Sequence, residues 1–472
     1  MKRRGPVIVI LACLSFMPAC FAATPTTADQ QQQELLEEVR RLQAEVRELK
    51  AQVSANAPAT RPAVSQEPLQ ERARQTTEEM IRDANLRSER LDMSSIATGY
   101  LKGKGFLISS DDGNFLLHPW AFIQVRNATN YRENGKHGHE SDTENGFELP
   151  RMKFILDGNV LSPDLTYQFI WATNDTTGNL GLQDAWARYH LPNTPWALRA
   201  GQIRDPFDHE EIIFGTRTLT PERSIVNNVF VNGDGVVKGA SVAYGYDTNA
   251  PIRSEVAFTG GERNFNTTFQ TFPTNSANWG VAGRVEWKLA GKWEDYTQFT
   301  ALGDKQPLLV MGAGADYTEA GDTGALMHVV DAQLNTPSGL SVYAAYLGRY
   351  TRHNGGAPGT NGGLSGAGPT ANTYDSTFRL MAGYLIDQRL EPFARYEYLH
   401  FNKFELPASA THTVLHDFTV GFNYYILSHR AKFSAAASYL PNGSPVANTL
   451  GDLLVAPGGN QVIIQAQFQL VL

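Results

Sequence analysis

The sequence is almost without cysteine: its two, Cys13 and Cys20, both fall within the first 22 residues. There Lys2, Arg3 and Arg4 precede an apolar core from Val7 to Phe16, with small residues at Cys20 and Ala22. This pattern reads as a secretory signal peptide, residues 1–22, cleaved after Ala22. Met17, Pro18 and Ala19 make a poor lipobox, so a lipid anchor at Cys20 is the lesser alternative. Removal of the signal leaves no thiol, which excludes disulfides, thiolate metal sites and a cysteine nucleophile.

Long apolar runs are also missing. After the N-terminus no stretch approaches the roughly 18 residues that a transmembrane helix needs, and mean hydropathy is −0.31. Charge is sparse at 19% and acidic in balance, −8 overall and about −11 once the signal's three basic residues are gone. That disfavours nucleic acid as a partner. Catalytic patterns are lacking as well: no GxSxG or HExxH occurs, and the 11 histidines are scattered. His137 and His139 share an acidic stretch with Glu140, Asp142 and Glu144, which is read as a solvated loop rather than a metal site. No enzyme, cofactor or metal is expected.

What is present begins with ELLEEVRRLQAEVRELKAQV at 34–53, where Leu35, Leu42 and Leu49 hold one heptad position and Val39, Val46 and Val53 the other. A short coiled coil is expected within an N-terminal segment, 23–53. A Pro-, Ala-, Ser- and Gln-containing linker and a short helix at Glu78–Leu91 fill 54–98. From about Gly99 the apolar period becomes two, and 99–472 is expected to form a transmembrane antiparallel β-barrel. In the last strand Val462, Ile464, Ala466, Phe468, Leu470 and Leu472 alternate with Gln465, Gln467 and Gln469. Arg151, Lys153 and Asp157 alternate with Met152, Phe154 and Leu156. Further strands are expected near 115–131, 164–174, 182–192, 196–204, 235–246, 252–260, 281–289, 307–318, 325–335, 340–351, 376–387, 390–402, 413–426 and 430–440. Counting Trp293–Leu302 as another would make the total odd and break the alternation of tight turns with long loops. The reading is therefore all-β, about 16 strands, with 291–306 as an unusual excursion on the turn side. Trp120, Trp186, Trp196, Trp287, Tyr189 and Tyr439 near strand ends suit interfacial girdles.

The segments GFLISSDDGNFLLHPWAFIQVR, FELPRMKFILDGNV, LQDAWARYHLPNTPWALRAGQIRDPFDHEE and TPERSIV occur in that order between 99 and 246. In this the chain resembles the phosphate-selective porin O and P family. The resemblance implies a homotrimeric barrel of the Gram-negative outer membrane, in contact with lipid, whose third external loop folds inward and whose passage is lined by arginine and lysine. Here that loop is 205–234, with Arg217 and Arg223.

Physics gives a reason for a basic lining: an anion such as phosphate entering a narrow, low-dielectric passage loses water, and fixed guanidinium groups replace those hydrogen bonds. Dyad parity places Arg126, Arg151, Lys153, Arg188 and Arg199 on the lumen face of the first five strands, and they complete the expected anion path. Each could equally pair with a neighbouring carboxylate and only hold the wall. Asp208, Glu210 and Glu211 at the loop entry, and Glu222 beside Arg223, could cancel the local field. The expected function is passive diffusion of small hydrophilic solutes with an anion or phosphate preference. A weakly selective general porin and a carbohydrate porin are the alternatives.

Overall fold

The computed structural model describes residues 96–101, 105–133, 142–173, 177–230, 235–246, 248–261, 279–320, 323–353, 372–406, 412–443 and 459–472. The expected signal peptide, coiled coil, linker, Glu78–Leu91 helix and His137–His139 pair lie outside the described residues.

Residues Ile96–Leu101 (β1) and Gly105–Ser110 (β2) pair as a hairpin. Sixteen strands follow: β3 Leu116–Arg132, β4 Asp142–Val160, β5 Ser162–Thr173, β6 Leu180–His190, β7 Trp196–Arg204, β8 Val236–Tyr244, β9 Ile252–Thr259, β10 Trp279–Ala290, β11 Leu308–Ala320, β12 Thr323–Asn335, β13 Leu340–His353, β14 Thr373–Tyr384, β15 Leu390–His400, β16 Val414–Leu427, β17 Ala431–Leu440 and β18 Gln461–Val471. Each is antiparallel to the next, and β18 returns to β3 in a register running from Gln461 opposite Arg132 to Val471 opposite Phe122. The ring is closed, which satisfies every strand edge within lipid. The strand count matches the sequence expectation. No strand is described in 291–307, which holds only a 3-10 turn at Asp295–Thr297.

Alternation of side chains gives the ring its two faces. On β18, Gln465, Gln467 and Gln469 are buried inside, whereas Ile464 and Phe468 are exposed outside. The same holds for Arg284 and Glu286 against Val285 and Trp287 on β10. Outward aromatics gather near the two ends of the strands: Trp196, Tyr244 and Trp287 at the tight-turn end, Tyr317, Tyr350 and Tyr374 at the other. Trp196 and Tyr244 meet edge to face at 5.0 Å. Between β14 and β15, Asp387 and Gln388 both take positive φ, 49° and 58°. That is the geometry whose twist suits a two-residue hairpin turn.

Candidate functional site

The lumen is occupied by the segment between β7 and β8. Its neck closes where the Asp205 amide donates to the Gly235 carbonyl at 2.8 Å. Gly235 takes φ +49°, and a Cβ there would lie 2.2 Å from Glu211 Cγ, so this crossing needs glycine. Inside, the loop carries two short helices, α1 (His209–Ile212) and α2 (Ile225–Phe230). Phe207, Ile213, Leu219, Ile225, Val226 and Phe230 form one buried cluster with inward residues of the wall, among them Met327, Val329, Leu347, Leu399 and Leu415. Burying each such side chain contributes about 1.5–3 kcal/mol, enough to hold a loop across a pore. Phe214 reaches the opposite wall and packs on Trp120 and Phe122 at 5.3 and 5.4 Å. At Gly314 of β11 a Cβ would sit 2.3 Å from the Phe207 carbonyl oxygen. The wall is bare there because the loop backbone presses against it.

Charge fixes what apolar packing positions. Arg379 of β14 binds both Asp208 and Glu210, the latter at 2.6 Å. Arg204 and Arg223 both pair with Glu211. Glu222 accepts from Arg126 at 2.9 Å and from Arg151. Arg395 donates to Thr220 Oγ1 and to the Glu222 carbonyl, while Glu397 accepts the Val226 amide at 2.9 Å. Wall side chains also cap loop carbonyls: Gln124 on Gly215, Gln469 on Thr216, Lys432 on Thr218 and Asn423 on Leu219. Burial raises the Glu222 carboxyl, but Arg151 and Arg126 outweigh it and hold it at about 2. Burial and neighbouring Arg284 keep the His209 ring well below the usual histidine range, hence neutral.

The excursion 291–307 enters from the other end and meets the loop. Tyr296 stacks on His209 with centroids 3.8 Å apart. Arg217 donates to Thr297 Oγ1, and the Phe299 amide donates to the Arg217 carbonyl at 3.4 Å. Phe299 joins the loop's apolar cluster. Gln333 and Ser341 of the wall donate to the Gln298 and Phe299 carbonyls. The lumen along β11–β18 is thereby filled: Asn335, Glu391, Asn423 and Gln469 are fully buried. Partly exposed inward residues occur on the other side, with His118, Trp120, Gln168, Trp186, Arg188, Arg253 and Lys288 near the turn ends of β3–β10.

The seven residues expected to form the anion path take different positions. Arg217 is exposed at the loop's inner edge. Arg223 is buried within the loop, donating to the Glu211 and Ile213 carbonyls at 3.3 and 2.9 Å. Arg126 and Arg151 come together on Glu222, Arg126 binding Glu148 as well. Lys153 is buried 6.0 Å from the Phe214 ring centroid. Arg188 stacks on Trp186 and Tyr246 at 5.4 and 5.5 Å, and Arg199 pairs with Glu255 at 2.5 Å. Close to Arg188 in the fold, Arg253 lies 4.2 Å over Trp293 of the excursion, with Lys288 at 5.2 Å.

The inner face also carries the buried carboxylates Asp184, Glu255, Glu286, Asp316, Asp331, Asp375, Glu391, Glu397 and Asp417. Asp331 binds Arg284 twice at 2.8 Å, and Asp375 binds Arg349 at 2.7 Å. The dyad parity that places Arg126 and Arg151 on the lumen face is the signal by which they can be found. Among the described residues no cluster of His, Cys, Asp and Glu is arranged to hold a metal.

Residues 124–347 match the model of the family phosphate-selective porin O and P. No curated protein matches the chain. Similar solved structures include the anion-selective porin from Comamonas acidovorans, 13% identical over 75% of this chain and 100% of that one, TM-score 0.49. Pseudomonas putida OprB is 10% identical over 75% and 94%, TM-score 0.49. The outer membrane channel DcaP of Acinetobacter baumannii is 12% identical over 76% and 99%, TM-score 0.45.

Proposed function

We propose that this chain, a phosphate-selective porin O and P family member over residues 124–347 and a barrel of the Gram-negative outer membrane, passes small hydrophilic solutes passively and prefers anions such as phosphate. One observation carries the preference. The loop carboxylates Asp208, Glu210 and Glu211 are spent in buried pairs, with side chains 0%, 2% and 0% exposed, while Arg217 is exposed at the inner edge. No carboxylate among the described residues pairs with Arg217. The wall at the same end carries Arg188, Arg253 and Lys288, cations over aromatic faces. A phosphate oxygen leaving water there meets guanidinium and ammonium donors, which replace its lost hydrogen bonds.

The path runs beside the β3–β10 wall, because the opposite half of the lumen is filled. On this reading Arg217, Arg188 and Arg151, of the seven expected residues, meet the ion. Arg126, Lys153, Arg199 and Arg223 act through the field and by holding the loop. The family resemblance supports a homotrimer, and the outward aromatics support direct contact with lipid. A weakly selective general porin is the second reading, favoured by the many balanced pairs of the lumen.

The test is the zero-current potential of the purified protein in a planar bilayer under a KCl gradient, followed by phosphate titration. A chloride-favouring potential and block of current by phosphate are expected. Preference for potassium, with no phosphate effect, would leave only the general porin.

A further inference from the structure

We infer that Glu222 sets the ion selectivity of this passage by occupying, as an internal anion, the guanidinium pair Arg126–Arg151. The inference rests on the proposed function, and names the residue that tunes it.

Glu222 differs from the other described carboxylates of its loop. Its side chain is 15% exposed, against 0% for Asp208 and Glu211 and 2% for Glu210. It is the most exposed acid among the described residues of the loop. Its two oxygens are divided: Oε2 accepts from Arg126 Nη1 at 2.9 Å, and Oε1 accepts from Arg151 and from the Arg223 amide at 3.0 Å. A carboxylate held by two guanidiniums and an amide is coordinated as a permeating carboxylate or phosphate would be.

The two arginines are not equivalent. Arg126 also binds Glu148, so it keeps a counter-charge without Glu222. Arg151 donates otherwise to uncharged oxygens, Gln124 Oε1 at 3.1 Å and the Pro221 carbonyl at 3.4 Å, and its side chain is 13% exposed. Glu222 is its carboxylate. Neutralising Glu222 therefore releases one uncompensated cation, at Arg151. The loop itself stays anchored through the Thr220 hydroxyl and the Glu222 carbonyl, both bound by Arg395. The Glu222–Arg151 contact is thus a selectivity element whose removal need not unseat the constriction.

The experiment compares zero-current potentials under a KCl gradient for wild type, Glu222→Gln, Arg151→Gln and the double variant. Glu222→Gln should raise the chloride-to-potassium permeability ratio on the order of fivefold, the effect of one unit charge at contact distance in a wet passage. Arg151→Gln should move it the other way, and the double variant should return near wild type. An unmoved potential in Glu222→Gln, or a double variant that keeps the full shift of Glu222→Gln, would overturn the assignment, the second result pointing to loop collapse. Should Glu222→Gln not fold, an Arg151→Gln protein with unaltered selectivity overturns it equally. A potassium-selective wild type sinks the proposed anion preference while leaving the direction of these shifts as a separate result.

Discussion

His209 and Tyr296 lie face to face, ring centroids 3.8 Å apart and planes 9° from parallel, one from the loop between β7 and β8 and the other from the excursion after β10. Two segments that enter the barrel separately are thus joined through neutral aromatic rings. Arg284 adds a hydrogen bond to the Tyr296 hydroxyl at 3.0 Å. Tyr296→Ala should separate them, lowering stability by about 3 kcal/mol and raising single-channel conductance, while Tyr296→Phe keeps the stack and most of both. Conductance histograms of the two variants are the check.

Arg379 is the clamp with most at stake. Both its carboxylate partners, Asp208 and Glu210, are buried with it, and Arg379→Gln leaves them uncompensated. A cost of about 3–5 kcal/mol is expected, read from urea unfolding in detergent. The exposed pair Arg352–Glu319, 44% and 20% accessible, should change by no more than about 0.5 kcal/mol when Arg352 becomes glutamine.

Arg217→Gln removes the exposed cation of the loop without breaking an ion pair. The zero-current potential should move toward potassium, and the unfolding midpoint should stay in place. A shift in the midpoint instead would make Arg217 a structural residue.

Asp304 of the excursion accepts from Asn335 at 2.8 Å, and burial, with neighbouring Asp295, raises its carboxyl to about 6. An unfolded aspartate titrates near 4, so between these values the folded protein holds the extra proton and stability falls as pH rises. The excursion should loosen from pH 4 to 6 and change little above. Asp304→Asn should flatten that part of the conductance–pH curve. Glu222, held at about 2, stays charged throughout this window; its ion pair is lost only as pH falls further.

The strands were legible because lipid and lumen impose opposite chemistry on successive residues, and parity alone dismissed 293–302 as a strand. Parity assigns a side chain to a face but not to a partner. That Arg126 and Arg151 meet on Glu222, and Arg379 on Asp208, depends on where the loop lies across the barrel, which no local pattern encodes. The excursion hid its role similarly: 291–306 read only as an unusual excursion on the turn side, whereas Tyr296 stacks on His209 and Phe299 packs in one cluster with Phe207 of the loop. The inward apolar residues Met327, Val329 and Leu347 mark the covered side of the lumen, a signal visible only once the strand faces are fixed.

The loop's partners come late in the chain. Arg379 follows Asp208 by 171 residues, Lys432 follows Thr218 by 214 and Gln469 follows Thr216 by 253. Contacts at such separations form slowly, because a long stretch of chain must be ordered first. A chain that has crossed the inner membrane only as far as β13 therefore carries Asp208 and Glu210 with no Arg379 to meet them. The seat of the loop is therefore complete only once β14, β17 and β18 have joined the ring.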